Sequence, residues 1–209
     1  MVINSKIIPI ILSIIALLIL GVERNYAFTL DLLRAGWNKS EITVLIIDSE
    51  HATQDAIEDI KEAMDDWNDA LMDIDDAPTL TLVSDVKRAD IVVQIKIDGR
   101  AILGQTLTRT IGRSSCALRG AFIKLNGEVF GQEFSGAGIR NVARHEFGHA
   151  LGLGHCDDPN DIMYATFECQ DVFGDYDIPI SGYDIDGIDA VYPLQRNCLI
   201  PDYIFWEEW

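Results

Sequence analysis

The sequence predicts an α+β domain in which a twisted, mixed β-sheet carries a histidine-bearing helix and a closing C-terminal helix. Three observations predict it. At 209 residues, with 48% hydrophobic side chains, the chain can fill one core of respectable size. Its apolar pattern reads strand, helix, several strands, helix, helix, an order suited to helices packed on a sheet. Three of its four histidines fall between residues 145 and 155, at a spacing that belongs on one helix and the turn after it.

The first segment, residues 1–27, is expected to stand apart from the fold. Ile7 to Val22 is an apolar run broken only by Pro9, Ser13 and Gly21, with Lys6 ahead of it. It is shorter than the ~20 residues a membrane span needs, and it suits a signal-peptide core with Ala27 as the last residue removed. An uncleaved N-terminal anchor is the alternative, and either reading places the domain outside the cytoplasm, secreted or extracytoplasmic. Residues 28–40 are a short lead-in that contains a glycosylation sequon, Asn38-Lys39-Ser40.

The catalytic-size unit runs over residues 41–198. Glu41 to Asp48 reads as a buried strand. Ala56 to Ile74 reads as an amphipathic helix with Ile57, Ile60, Met64, Trp67 and Leu71 on one face, and Ser49 as a candidate cap. Thr79 to Ser84 and Asp90 to Ile97 read as the next strands, and a further strand is expected near Ala121 to Leu125. A helix from about Gly138 to Leu151 follows Ser135-Gly136-Ala137. The tail, residues 199–209, is aromatic and acidic, and packing on the domain is its expected role.

Residues 145–155 read His-Glu-Phe-Gly-His-Ala-Leu-Gly-Leu-Gly-His. Residues four apart on a helix lie on one face, so His145 and His149 can aim two imidazoles at a single ion. Zinc takes such nitrogens at about 2.0–2.1 Å, and a catalytic site keeps a fourth position for water. Glu146 projects about 100° away from His145, given 3.6 residues per turn. That direction suits it to reach a metal-bound water, whose pKa zinc lowers towards ~7, and to take its proton. A straight helix would turn residue 155 away from the ion. Gly152 can adopt positive φ at little cost, end the helix and return His155 to the metal. The pattern is a known zinc-protease signature.

With these residues in place, the chain resembles the metzincin zinc peptidases, and among them the matrixins, the matrix-metalloproteinase-type catalytic domains. The segment from His145 to Tyr164 (HEFGHALGLGHCDDPNDIMY) is similar to their active-site signature, and Asp161-Ile162-Met163-Tyr164 to their Met-turn. Ala89 to Gln94 is similar to their third strand, and Ser181 to Pro193 to their closing helix. The resemblance implies a zincin fold with one catalytic zinc on His145, His149 and His155. It implies Glu146 as the catalytic acid–base, and Met163 as a packing residue beneath the metal. It also implies a substrate strand added to an edge between Gly104 and Phe130, and a substrate pocket walled by Tyr164, Ala165 and Phe167.

The departures from that family carry expectations too. No histidine lies between residues 52 and 144, so the second, structural zinc of matrixins is not expected. No cysteine precedes Cys116, so latency through a cysteine-switch prodomain is not expected either. In an exported domain four cysteines suggest two disulfides, and three pairings are open. The favoured pairs are Cys156–Cys169 around the Met-turn and Cys116–Cys198, the latter resembling a bridge of venom-type metzincins. Cys156 as an extra zinc ligand is the rival reading.

A net charge of −18 repels nucleic acid and anionic lipid, so neither is an expected partner. A peptide or protein substrate is expected, with membrane contact only through an uncleaved N-terminal anchor. Asp157 to Asp161 and Asp184 to Asp189 raise calcium (Ca2+) as a second cofactor, although neither stretch follows the EF-hand pattern. No feature of the sequence specifies an oligomeric state. The function that results is exported zinc (Zn2+) endopeptidase; the alternative is a zinc-stabilised extracellular binding module without turnover.

Overall fold

The computed structural model describes residues 30–32, 35–47, 52–96, 102–110 and 117–194; residues 1–27, the tail 199–209, Cys116 and Cys198 lie outside them. In chain order the elements begin with β1 (Leu30–Leu32), β2 (Gly36–Trp37), β3 (Glu41–Ile47), α1 (Gln54–Leu71), β4 (Thr79–Leu82) and β5 (Ile91–Lys96). They continue with β6 (Gly104–Thr110), β7 (Ala117–Asn126), β8 (Glu128–Val129), β9 (Gln132–Glu133) and α2 (Gly136–Leu151). β10 (Leu153–Cys156), α3 (Cys169–Phe173) and α4 (Gly182–Leu194) complete the set. The α+β class and the mixed sheet are as expected.

The main sheet runs β2-β7-β5-β3-β4, all parallel, with β6 added antiparallel to β7. Parallel neighbours require a crossover, and α1 provides it between β3 and β4. Alternation sorts each strand into two faces. Ile42 and Val44 of β3, Ile91, Val93 and Ile95 of β5, and Ala121, Ile123 and Leu125 of β7 are buried together in the core. The intervening residues of β3 and β5 are partly buried.

α1 packs on α2. Ala56, Ile60, Ala63, Met64, Trp67 and Leu71 recur every three to four residues and form its buried stripe. Trp67 is fully buried, and its indole N–H donates to the Arg144 carbonyl at 2.8 Å. The cap of α1 is Thr53, whose hydroxyl accepts from the Ala56 N–H at 3.1 Å; Ser49 lies outside the described residues. The helix ends at Leu71, short of Ile74, because a turn at residues 72–76 leads directly into β4.

Two arginines on α2 fasten it to its surroundings. Arg144 donates to Asp66 of α1 at 2.6 Å and to Asp177 at 2.9 Å, while Arg140 donates to Asp59 at 2.5 Å and Asp177 at 2.8 Å. These pairs fix the position of α2 between α1 and the loop at 174–178. Among the described residues no helix is long and apolar enough to cross a membrane.

Candidate metal centre

α2 starts at Ser135, whose hydroxyl accepts from the Gly138 N–H at 2.9 Å, and runs almost wholly inside the protein. Its last two turns carry His145, Glu146 and His149, all buried. Gly152 ends it with φ 113° and ψ 8°, the left-handed cap that a side chain would resist. A Cβ there would also come within 2.4 Å of the Ala35 carbonyl oxygen, so glycine is required twice over. The chain then reverses into β10, and His155 arrives beside the two helix histidines, as the spacing predicts.

The three imidazoles form a compact cluster. Ring centroids lie 4.5 Å apart for His145 and His149, 4.9 Å for His149 and His155, and 5.5 Å for His145 and His155. One ligand nitrogen from each lies within 4.8 Å of the others, and among the described residues this is the one such group. His145 Nδ1 donates to the Ile162 carbonyl at 2.6 Å, and His149 Nδ1 to the Leu153 carbonyl at 2.8 Å. A carbonyl can only accept, so both rings hold their proton on Nδ1 and present Nε2 as the basic nitrogen.

Burial holds these rings neutral. It pushes His149 down to about 3, opposed by its carbonyl partner and assisted by His155. His145 is driven well below its ordinary value, first by burial and then by His149. Neutral imidazoles with fixed tautomers are the donor set that zinc takes, and the residues present fit that ion.

The turn Asp161-Ile162-Met163-Tyr164 is joined to the cluster through the Ile162 carbonyl, which accepts from His145. Met163 is fully buried, and its N–H donates to Asp161 Oδ1 at 2.9 Å. The other Asp161 oxygen accepts from the Ser181 hydroxyl at 2.5 Å, and Ser181 N–H donates to Asp184 at 2.7 Å. Burial and the Asp161 charge push the Asp184 carboxyl up to about 7. These two aspartates belong to the stretches that raised calcium. Here they brace the Met-turn against α4, and they join no metal-ligand group among the described residues.

Of the expected pocket residues, Phe167 sets its ring edge-on to His145 with centroids 5.5 Å apart. Tyr164 is half-buried and its backbone bridges to Cys156; Ala165 is exposed. The cysteines correct an expectation. Cys156 and Cys169 are both free thiols, not a disulfide. Cys156 turns its sulfur inward, where it accepts from the Asp158 N–H at 3.3 Å, whereas Cys169 opens α3 on the surface. Cys156 is not among the grouped metal ligands either.

Residue spacing gives no sign of Thr106 and Gly104. Thr106 on β6 donates its hydroxyl to Glu146 Oε2 at 2.5 Å and reaches the Glu146 backbone carbonyl at 3.1 Å. A Cβ on Gly104 would stand 2.3 Å from Glu146 Oε1. These contacts join positions 40 and 42 residues apart, and no local pattern reports such a pairing. The backbone acceptors at Ile162 and Leu153 are equally silent in sequence.

Comparison with known proteins adds the lineage. The family profile described as matrixin matches residues 36–193. Human neutrophil collagenase is 45% identical over 60 residues, covering 29% of this chain and 12% of that protein. Human matrix metalloproteinase-20 is 40% identical over 67 residues, covering 32% and 13% respectively. Matrix metalloproteinase-27 of Tupaia belangeri is 29% identical over 182 residues, which cover 80% of this chain and 32% of that protein. The chain therefore spans at most about a third of the length of these three relatives.

Proposed function

Because the chain belongs to the matrixin family, we propose that it is an exported zinc-dependent endopeptidase, with His145, His149 and His155 as metal ligands and Glu146 as general base and acid. The observation that carries this reading is the convergence of three histidine nitrogens within 4.8 Å, next to a buried carboxylate on the same helix. Zinc bound there would supply Lewis acidity, making a water ionise near neutral pH and polarising the scissile carbonyl.

The chain's own residues supply the remaining chemistry. The carbonyls of Ile162 and Leu153 hold the ligand rings in one tautomer and one orientation. Glu146 takes a proton from the attacking water and returns it to the amine that departs. Burial of this carboxylate strengthens each electrostatic contact that it makes.

β6 is where an extended substrate would dock. One of its edges pairs with β7, and among the described residues no strand pairs with the other. Strand addition there would carry a peptide past the histidines. Tyr164, Ala165 and Phe167 would wall the pocket for the residue after the cut bond, and the Phe167 ring favours an apolar side chain. The apolar run from Ile7 to Val22 supports export, either as a cleaved leader or as an anchor.

The test is digestion of an unbiased peptide library by the full chain, before and after removal of metal by a chelator. Cleavage that stops with the chelator and returns with zinc supports the peptidase. A folded protein that holds one zinc per chain and cuts nothing would instead be a zinc-stabilised binding module.

A further inference from the structure

We propose that Thr106 is a positioning residue for the general base, and that Gly104 is the socket into which that base fits. The inference rests on the assignment of Glu146 above and extends it to residues on another element. Thr106 is 5% exposed and sits on β6, opposite Ile123 of β7. Alternation along the strand turns Gly104 and Thr106 towards α2, and Gln105, Leu107 and Arg109 the other way. From that face the Thr106 hydroxyl donates to Glu146 Oε2 at 2.5 Å and also lies 3.1 Å from the backbone carbonyl of the same residue. The single hydroxyl proton serves the carboxylate, the shorter contact, and the backbone carbonyl of the same residue lies close beside it.

Two residues earlier, the backbone of Gly104 lies against the rest of the side chain. A Cβ at this position would stand 2.3 Å from Oε1 and 2.8 Å from both Cδ and Cγ of Glu146. φ at Gly104 is not in the left-handed range, so glycine is needed there for space and not for backbone freedom. A carboxylate confined by a donor on one oxygen and a flat backbone beside the other keeps few rotamers, which is the pre-organisation that proton transfer rewards. β6 would then have two duties: its edge away from β7 receives the substrate, and its inner face aims the base.

The experiment compares Thr106→Val, Thr106→Ser and Gly104→Ala in the full chain, each with and without Glu146→Gln. Peptide hydrolysis, zinc content and thermal midpoint are read for every variant. Thr106→Val is expected to lower kcat roughly 10-fold or more, the usual range for a lost second-layer partner, with KM within about twofold and zinc near one per chain. Thr106→Ser should restore most of kcat, and Gly104→Ala should lower it as Thr106→Val does. In the Glu146→Gln background Thr106→Val should add no further loss, because the residue that it acts through is already disabled.

An equal loss in both backgrounds would overturn the proposal, since Thr106 would then serve the fold alone. So would full kcat in Thr106→Val, or a zinc content that falls with it. A wild-type chain that cuts no peptide would instead remove the peptidase reading itself, and the positioning role with it.

Discussion

The sulfur of Met163 occupies the space that a side chain on Gly148 would need: a Cβ there would lie 2.4 Å from Sδ and 3.2 Å from the Trp67 ring. Gly148 lies one residue before His149, and Met163 one residue after Ile162, whose carbonyl orients the His145 ring. The contact therefore ties the turn at residues 161–164 to the spacing of the helix histidines.

Gly148→Ala should destabilise the protein, although alanine favours a helix over glycine by about 1 kcal/mol. Displacing a buried methionine costs about 1–3 kcal/mol, which leaves a modest net loss. Gly138→Ala should cost more. There a Cβ would meet the Val172 carbonyl oxygen at 2.1 Å, and backbone does not yield as a methionine does. Urea midpoints of the two variants test this ordering, and an equal or reversed order would show that α3 shifts freely against α2.

Asp184 makes stability depend on pH in a defined direction. Its carboxyl is pushed up to about 7 in the folded chain by burial and the Asp161 charge, from an ordinary value of 3.8. The folded state then keeps a proton that the unfolded chain has lost, so its relative stability falls as pH rises from about 4 to about 7. The buried histidines act in the opposite sense, since their lowered values favour folding above their ordinary 6.5. Asp184→Asn removes only the first effect and keeps an acceptor for the Ser181 N–H. The variant should match the wild type near pH 4 and exceed it near pH 8 by up to a few kcal/mol. Denaturation midpoints measured across that range provide the check.

The cysteines offer a chemical test of the packing. Cys169 is exposed, whereas Cys156 is 4% exposed and burial raises its thiol above the usual range. A native protein treated with an alkylating reagent should be modified at Cys169 first, and at Cys156 only after unfolding. Peptide mapping without reductant should find no cross-link between them. Equal labelling of both in the native state would contradict the buried position of Cys156.

How much of this could be read from sequence differs by distance along the chain. His145, His149, Gly152 and His155 were legible because helix periodicity and a glycine cap act within eleven residues. The buried stripe of α1 was legible for the same reason, since 3.6-residue periodicity repeats locally. Thr53 displaced Ser49 as the cap because a cap depends on where the helix begins, which periodicity leaves loose by a few residues. Thr106, Gly104 and Asp184 were not legible as parts of the site. Each acts through a partner placed by the sheet or by α4, at separations from which local pattern carries no signal. The Cys156–Cys169 pairing failed because proximity in sequence says nothing of where a sulfur points.

The central claim is that Glu146 performs the proton transfers at a zinc site that it does not help to bind. The most direct test is kcat/KM of Glu146→Gln for a peptide that the wild type cleaves, with zinc measured on the same sample. The account predicts a fall of roughly 10²–10⁴-fold with zinc still near one per chain. Wild-type turnover by the variant, or loss of zinc together with activity, would contradict it.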